Sequence, residues 1–199
     1  MAVCGYIIAD NSSKDCVIID PSTEPEKILN ITIKKKLKVK AVINTHGHGD
    51  HTAGNAFIIK KTRAPLYIHK EDGALASKLM SRAFSLTLGG RPTPAPDFFV
   101  EDKTMIHAGT ISIEVLHTPG HTKGSISLFI PGHVFTGDTL FVGDVGRTDL
   151  PGGSFDLLKK SIHEKLLTLP DETIVWPGHK YSESRSSSIR KEKETNTYI

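Results

Sequence analysis

Thr45-His46-Gly47-His48-Gly49-Asp50-His51 places four metal-capable side chains within six residues, with Gly47 and Gly49 between them as spacers that let the backbone turn tightly. Such density has few structural explanations. In extended backbone, residues two apart point to the same side, so His46 and His48 can address one ion while Asp50 and His51, past the bend, turn toward a neighbouring position. Just before this stretch runs the apolar segment Lys40-Ala-Val-Ile-Asn44, a short buried strand by pattern, and after it Thr52 to Lys61 can be helical. The cluster therefore sits just past a strand end.

Working outward, Val3–Ala9 and Cys16–Ile19 read as two strands of a hairpin closed by Asp20-Pro21, and a helix is expected from Glu24 to about Leu37. Downstream, Leu66–His69 is a candidate strand and Glu71–Met80 a candidate helix. The stretch Gly89 to Pro96 is too rich in Pro and Gly for either and is expected as a rim or lid loop. Thr104–Ile106, Ile111–His117, Ser125–Ile130 and Val134–Thr136 form a second, mostly antiparallel set of strands, followed by a helix over Ser154–Leu167 and a last strand at Thr173–Trp176. Ser182 to Ser188 is a low-complexity stretch. Two sheets with helices on their outer faces bury these surfaces most economically, which predicts a four-layer αββα fold of the α/β (α+β) class.

A catalytic zinc takes about four N, O or S ligands and leaves a position for water, so further ligands are expected downstream. His121 in Thr118-Pro-Gly-His-Thr122, Asp138 in Thr136-Gly-Asp-Thr139 and His179 in Trp176-Pro-Gly-His179 each follow an apolar run and stand beside glycine. Each is equally well read alone as a turn residue, Asp138 for instance as a turn cap.

Composition narrows the function classes. At 199 residues with 38% hydrophobic content the chain suits one ordinary domain, 1–199, with a sizeable core. No apolar run approaches the roughly 20 residues of a bilayer span and no signal pattern opens the chain, so a cytoplasmic protein without membrane association is expected. A net charge of +3 and a basic run at Lys34, Lys35, Lys36, Lys38 and Lys40 without interleaved aromatics describe a solvated face, with no call for nucleic acid. Cys4 and Cys16 read as small buried hydrophobes.

In this order, the motifs HxHxDH, TPGHT, GDT and PGH resemble the metallo-β-lactamase superfamily. Gly137-Asp-Thr-Leu-Phe141 and Gly146-Arg-Thr-Asp-Leu-Pro-Gly-Gly153 are similar to its glyoxalase II-like (hydroxyacylglutathione hydrolase-like) branch in the short single-domain form. The resemblance implies a metallo-β-lactamase sandwich of two mixed sheets, with His46, His48 and His121 on one metal, Asp50, His51 and His179 on a second, and Asp138 bridging. It implies two divalent ions, zinc first, with iron or manganese also accepted by such a donor set. Two such ions carry +4, the two carboxylates remove 2 and a hydroxide 1, leaving a site that can activate water near pH 7 and stabilise an oxyanion.

The resemblance implies a small-molecule thioester such as S-lactoylglutathione as substrate; a thiolate from a thiol of pKa about 8.5 needs little help from a general acid, which suits a motif set offering no obvious one. Asp50 is the candidate catalytic residue, orienting the nucleophile as well as binding metal. Arg147, in the loop after Asp138, is either a substrate anion contact or the partner of Asp144 or Asp149; Lys123 and Lys180 are weaker substrate candidates. His69, His107, His117, His133 and His163 are read as structural or exposed. The larger glyoxalase II proteins carry a further C-terminal helical domain that helps hold glutathione, whereas this chain ends about 20 residues after His179. Tyr6-Ile-Ile-Ala9 resembles the strand that follows a short opening strand in the family, so either a shortened sheet edge or a late start is expected. The alternative activity is a mononuclear-iron persulfide dioxygenase of the same fold, using His46, His121 and Asp138 as a two-His, one-carboxylate face.

Overall fold

A computed structural model describes residues 3–77 and 79–199. Two mixed sheets pack face to face with helices outside them. The first contains β1 (Tyr6–Ala9), β2 (Asp15–Ile19), β3 (Lys38–Ile43), β4 (Leu66–His69) and β5 (Phe98–Val100) in that spatial order. Only β1–β2 is antiparallel. The second runs β11-β10-β9-β8-β7-β6, from β6 (Met105–Ala108), β7 (Ile111–His117), β8 (Ile126–Ile130), β9 (His133–Gly137), β10 (Ile174–Pro177) and β11 (Ser187–Ser188). The αββα expectation holds.

Period-two alternation sorts the side chains into layers. Val17 and Ile19 of β2 and Ala41 and Ile43 of β3 face Ile113, Val115 and Leu128 in the space between the sheets. The intervening Ile18 and Val42 face outward onto Ile28 of α1 (Pro25–Lys34) and Ile58 of α3 (Asn55–Thr62). On the far side Leu116, Val134 and Val175 pack under Leu158 of α6 (Phe155–Ser161) and under Ile162 and Leu166 of a π-helical turn, Ile162–Leu166. Removing one such buried leucine or isoleucine generally costs about 2–5 kcal/mol.

Several element boundaries depart from the sequence reading. The helix expected over Thr52–Lys61 is split into α2 (Gly49–Thr52) and α3, with Gly54 pressed so closely on the Pro21 carbonyl that a Cβ has no room there. The helix expected over Ser154–Leu167 starts as predicted, with Ser154 capping it, but closes in the π-turn through Leu167 N–H to Ile162 O (2.9 Å). The helix expected at Glu71–Met80 corresponds to α4 (Lys70–Ser77) and the start of α5 (Leu79–Thr87), position 78 lying outside the described residues. Thr173–Trp176 is not the last strand: the serine-rich stretch ends in β11, which pairs with β10, and Ser188 caps α7 (Ile189–Thr195). Three-residue β5 at the sheet edge was also not anticipated. The loop over 89–96 holds no helix or strand, as expected.

The topology places the motifs. β7 and β9 are each antiparallel to β8, and β10 is parallel to β9, so β7, β9 and β10 all end at the same edge. His121, Asp138 and His179 follow those three ends. Ile126 N–H donates to Thr45 O (2.9 Å), joining the second sheet to the segment that follows β3. Among the described residues no helix is long and apolar enough to cross a membrane.

Candidate metal centre

All seven predicted donors converge at this edge. His48 is extended (φ −69°, ψ 147°) and α2 begins directly after it, so His46 and His48 project together and Asp50 and His51 turn away. His48 Nδ1 lies 3.1 Å from His46 Nε2 and 3.0 Å from His121 Nε2. Nearby, His179 Nε2 lies 3.2 Å from His51 Nε2 and 3.6 Å from Asp50 Oδ2. Asp138 stands between the two groups, its Oδ2 being 3.7 Å from His121 Nε2 and 3.3 Å from His179 Nε2. Its Oδ1 is 3.4 Å from His51 Nε2.

These residues could hold metal ions. Ligand atoms about 2.0–2.1 Å from a tetrahedral ion stand about 3.3–3.4 Å from one another, the spacing seen here. Charge points the same way. Burial and the neighbouring imidazoles hold His46 well below the usual histidine range, and burial brings His48 down to about 4, leaving neutral rings with lone pairs to offer. Burial also disfavours a charged His51, but the Asp138 and Asp20 carboxylates on either side overcome it and draw a proton onto the ring. Burial opposes ionisation of Asp138 too, and His51 and His179 hold it deeply ionised nonetheless. The cluster demands positive charge at its centre, and Asp138 Oδ1, buried, has no hydrogen-bond partner among the described residues.

The rings are aimed by groups that sequence reading passed over. Asp20, read as the end of a hairpin strand, is 1% exposed and sits at φ 45°, a left-handed conformation that aspartate tolerates better than most residues. Its Oδ2 accepts from His51 Nδ1 (2.9 Å) and Thr45 Oγ1 (2.6 Å), and its Oδ1 from Thr45 N–H (2.9 Å). Thr45 Oγ1 in turn lies 3.2 Å from His46 Nδ1. His121 Nδ1 donates to the Arg147 carbonyl (2.7 Å).

Asp72, buried at the start of α4, accepts from Gly47 N–H (2.7 Å), Thr122 Oγ1 (2.7 Å) and Gly124 N–H (2.8 Å), so one carboxylate ties the His46–His51 loop to the His121 loop. No local signal marks Asp72, because its partners are up to 52 positions away. Asp72→Ala leaves two buried amides, Gly47 N–H and Gly124 N–H, without an acceptor, at about 1–3 kcal/mol each, while the Thr122 hydroxyl can turn to Ser125 Oγ. A fall of several degrees in Tm and reduced metal uptake are expected; a melting curve and metal content equal to wild type would show the loops to be held by other means.

Arg147 forms a two-pronged contact with Asp149, Nε to Oδ1 and Nη2 to Oδ2, both 2.7 Å, and both side chains are exposed. With Asp138, Phe141, Asp144, Val145 and Tyr181 it lines a cavity of about 210 Å³ beside the cluster. Tyr181 stacks on His179 with ring centroids 5.4 Å apart. Lys123 is exposed beside Gly152, and Lys180 lines a separate cavity with Arg185 and Trp176. The remaining histidines stand apart: His69 stacks on His117 at 4.3 Å and His133 accepts from Trp176 Nε1, while His107 and His163 are exposed. Cys4 and Cys16 are free.

Residues 3–179 match the metallo-β-lactamase superfamily, and the chain belongs to it. It is 32% identical to the hydroxyacylglutathione hydrolase of Haemophilus influenzae over 98% of this chain and 92% of that protein. It is 30% identical to the mitochondrial persulfide dioxygenase of Bos taurus over 96% of this chain and 69% of that protein. Among solved structures, TTHA1623 in a di-iron-bound form superposes with a TM-score of 0.85 at 33% identity, covering 98% of this chain and 94% of that one.

Proposed function

We propose that this member of the superfamily is a hydrolase that holds two divalent ions, zinc first, and cleaves a thioester such as S-lactoylglutathione. The observation that carries this reading is Asp138 Oδ2, which faces the His46–His48–His121 group and the Asp50–His51–His179 group at once. When bound, two such ions lower the pKa of water to about 7 and polarise an acyl oxygen. The chain's own residues do the rest. Asp50 is the more open of the two carboxylates, its side chain 22% exposed against 10% for Asp138, and it can accept a hydrogen bond from the attacking water and orient it toward the cavity. Phe141 and Tyr181 wall the cavity on the His179 side, and Arg147 reaches its rim. A leaving thiolate, from a thiol of pKa about 8.5, needs little help from a proton donor.

Arg147 is assigned the substrate's carboxylate, which it takes in place of the exposed Asp149. Arg147→Ala is expected to raise KM about tenfold with kcat little changed, the scale of one charge-assisted hydrogen bond. An unchanged KM in steady-state kinetics returns Arg147 to its partnership with Asp149. Lys123, exposed beside Gly152, is assigned a lesser share of the same contact.

A persulfide dioxygenase is the competing reading, because the bovine dioxygenase is about as similar as the Haemophilus hydrolase. A single-iron face needs only His46, His121 and Asp138, whereas here the second group is equally well formed and its His51 is braced by Asp20. The two separate on metal-depleted protein reconstituted with zinc or with ferrous iron. Thiol release from S-lactoylglutathione supports the hydrolase. Oxygen uptake with glutathione persulfide confined to the iron form, without thiol release, overturns it.

A further inference from the structure

The C-terminal helix reaches the loop that walls the cavity. Glu192 of α7 and Asn196, the residue that caps the helix at its C-terminal end, stand four positions apart and both are buried. Glu192 Oε2 accepts from Gly143 N–H (3.0 Å) and from Asn196 Nδ2 (2.8 Å), and Asn196 Nδ2 also donates to Asp144 O (3.2 Å). The pair thus grips the loop by the amide of one residue and the carbonyl of the next. That loop is a tight reversal, with Gly143 at φ 72°, Phe141 N–H donating to Asp144 O (2.9 Å) and Leu140 bridging to Val145. It supplies Phe141, Asp144, Val145 and Arg147 to the cavity lining.

A buried carboxylate is a costly way to dock a helix. Glu192 Oε1 is buried with no hydrogen-bond partner among the described residues, so the side chain is poorly compensated as a structural anchor. Docking is already served by Ile189, which joins the outer core, by Ile189 N–H to Thr173 O (3.0 Å), and by the pairing of β11 with β10. The polar pair does what an apolar contact cannot, fixing the loop's backbone orientation and with it the cavity wall. We propose that Glu192 and Asn196 are positioning residues for substrate, so that α7 sets affinity from outside the metal cluster.

The kinetic form of this proposal rests on the thioester reading, and a direct measurement of the loop separates the two. In metal-loaded enzyme, Glu192→Ala and Asn196→Ala are expected to raise KM for S-lactoylglutathione about tenfold, with kcat within about threefold, the scale of one hydrogen bond to a charged group. Metal content is expected to stay at the wild-type level, because Asp20 and Asp72 hold the His46–His51 and His121 loops independently of α7. Glu192→Gln retains an acceptor oxygen for both donors and is expected to keep the wild-type KM. A purely structural role lowers Tm and active fraction while leaving KM alone. Unchanged KM in both alanine variants overturns the proposal, as does loss of metal or kcat at constant KM; if Glu192→Ala does not fold, Asn196→Ala decides. Wild-type enzyme that releases no thiol defeats the thioester reading alone. Hydrogen exchange across residues 141–147 then decides without substrate: faster in the alanine variants and wild-type in Glu192→Gln supports the clamp, and equal exchange in all of them overturns it.

Discussion

Asp138→Ala is expected to lower metal content and activity together, taking bound metal below two ions per chain and activity down by more than about 100-fold. That exceeds the 10–100-fold typical of losing an outer-shell partner of a metal ligand. Asp138 approaches both imidazole groups, with Oδ2 3.7 Å from His121 Nε2 and 3.3 Å from His179 Nε2. Its removal takes one negative charge from a cluster of five imidazoles and deprives His51 of the stronger of two carboxylate influences that draw a proton to its ring. The variant has no bulk to clash, so folding is expected to survive and the loss to appear in metal titration. Metal analysis beside kinetics checks this; two ions per chain with full activity would sink the bridging assignment.

Legibility in the sequence followed the range of the interactions. His46, His48, Asp50 and His51 were readable because their whole geometry is local: a bend at His46, an extended His48 and one helical turn. His121, Asp138 and His179 were each ambiguous alone, and what brings them together is that β7, β9 and β10 share a direction, a property of sheet order that one strand does not carry. The layers were readable for the same reason as the first cluster, since Val17, Ile18 and Ile19 alternate between two cores according to local pleat. Asp20 and Asp72 were not, because their partners lie 24 to 52 positions away and each looks locally like a strand terminator or a helix start. The split between α2 and α3 was hidden likewise: it comes from the approach of Gly54 to Pro21, which apolar periodicity does not report. Charged α7 lacks an apolar stripe, and its buried side is partly made of Glu192 with the capping Asn196 beside it, which any hydropathy pattern assigns to solvent.

Asp20→Asn, nearly the same in shape, is expected to reduce metal affinity or activity by about 10–100-fold, the range for partners that orient metal-ligating histidines. Asp20 meets donors on both oxygens: His51 Nδ1–H and the Thr45 hydroxyl on Oδ2, the Thr45 amide on Oδ1. A carboxylate can accept all of them, but an asparagine brings an NH2 group to one side or the other and must face a donor with a donor. If the NH2 turns to His51, the ring loses the acceptor that fixes its tautomer and leaves Nε2 to face the centre. If it turns to the Thr45 amide, it breaks the backbone contact at the head of the His46 loop. In the first case His46 is affected as well, because its Nδ1 is steered through the Thr45 hydroxyl, which donates to the same oxygen as His51. The fully buried setting denies water as a substitute. Titration of metal-depleted protein against a competing chelator reads the effect, and an affinity within about twofold of wild type would show that packing, not the carboxylate, holds His51 in place.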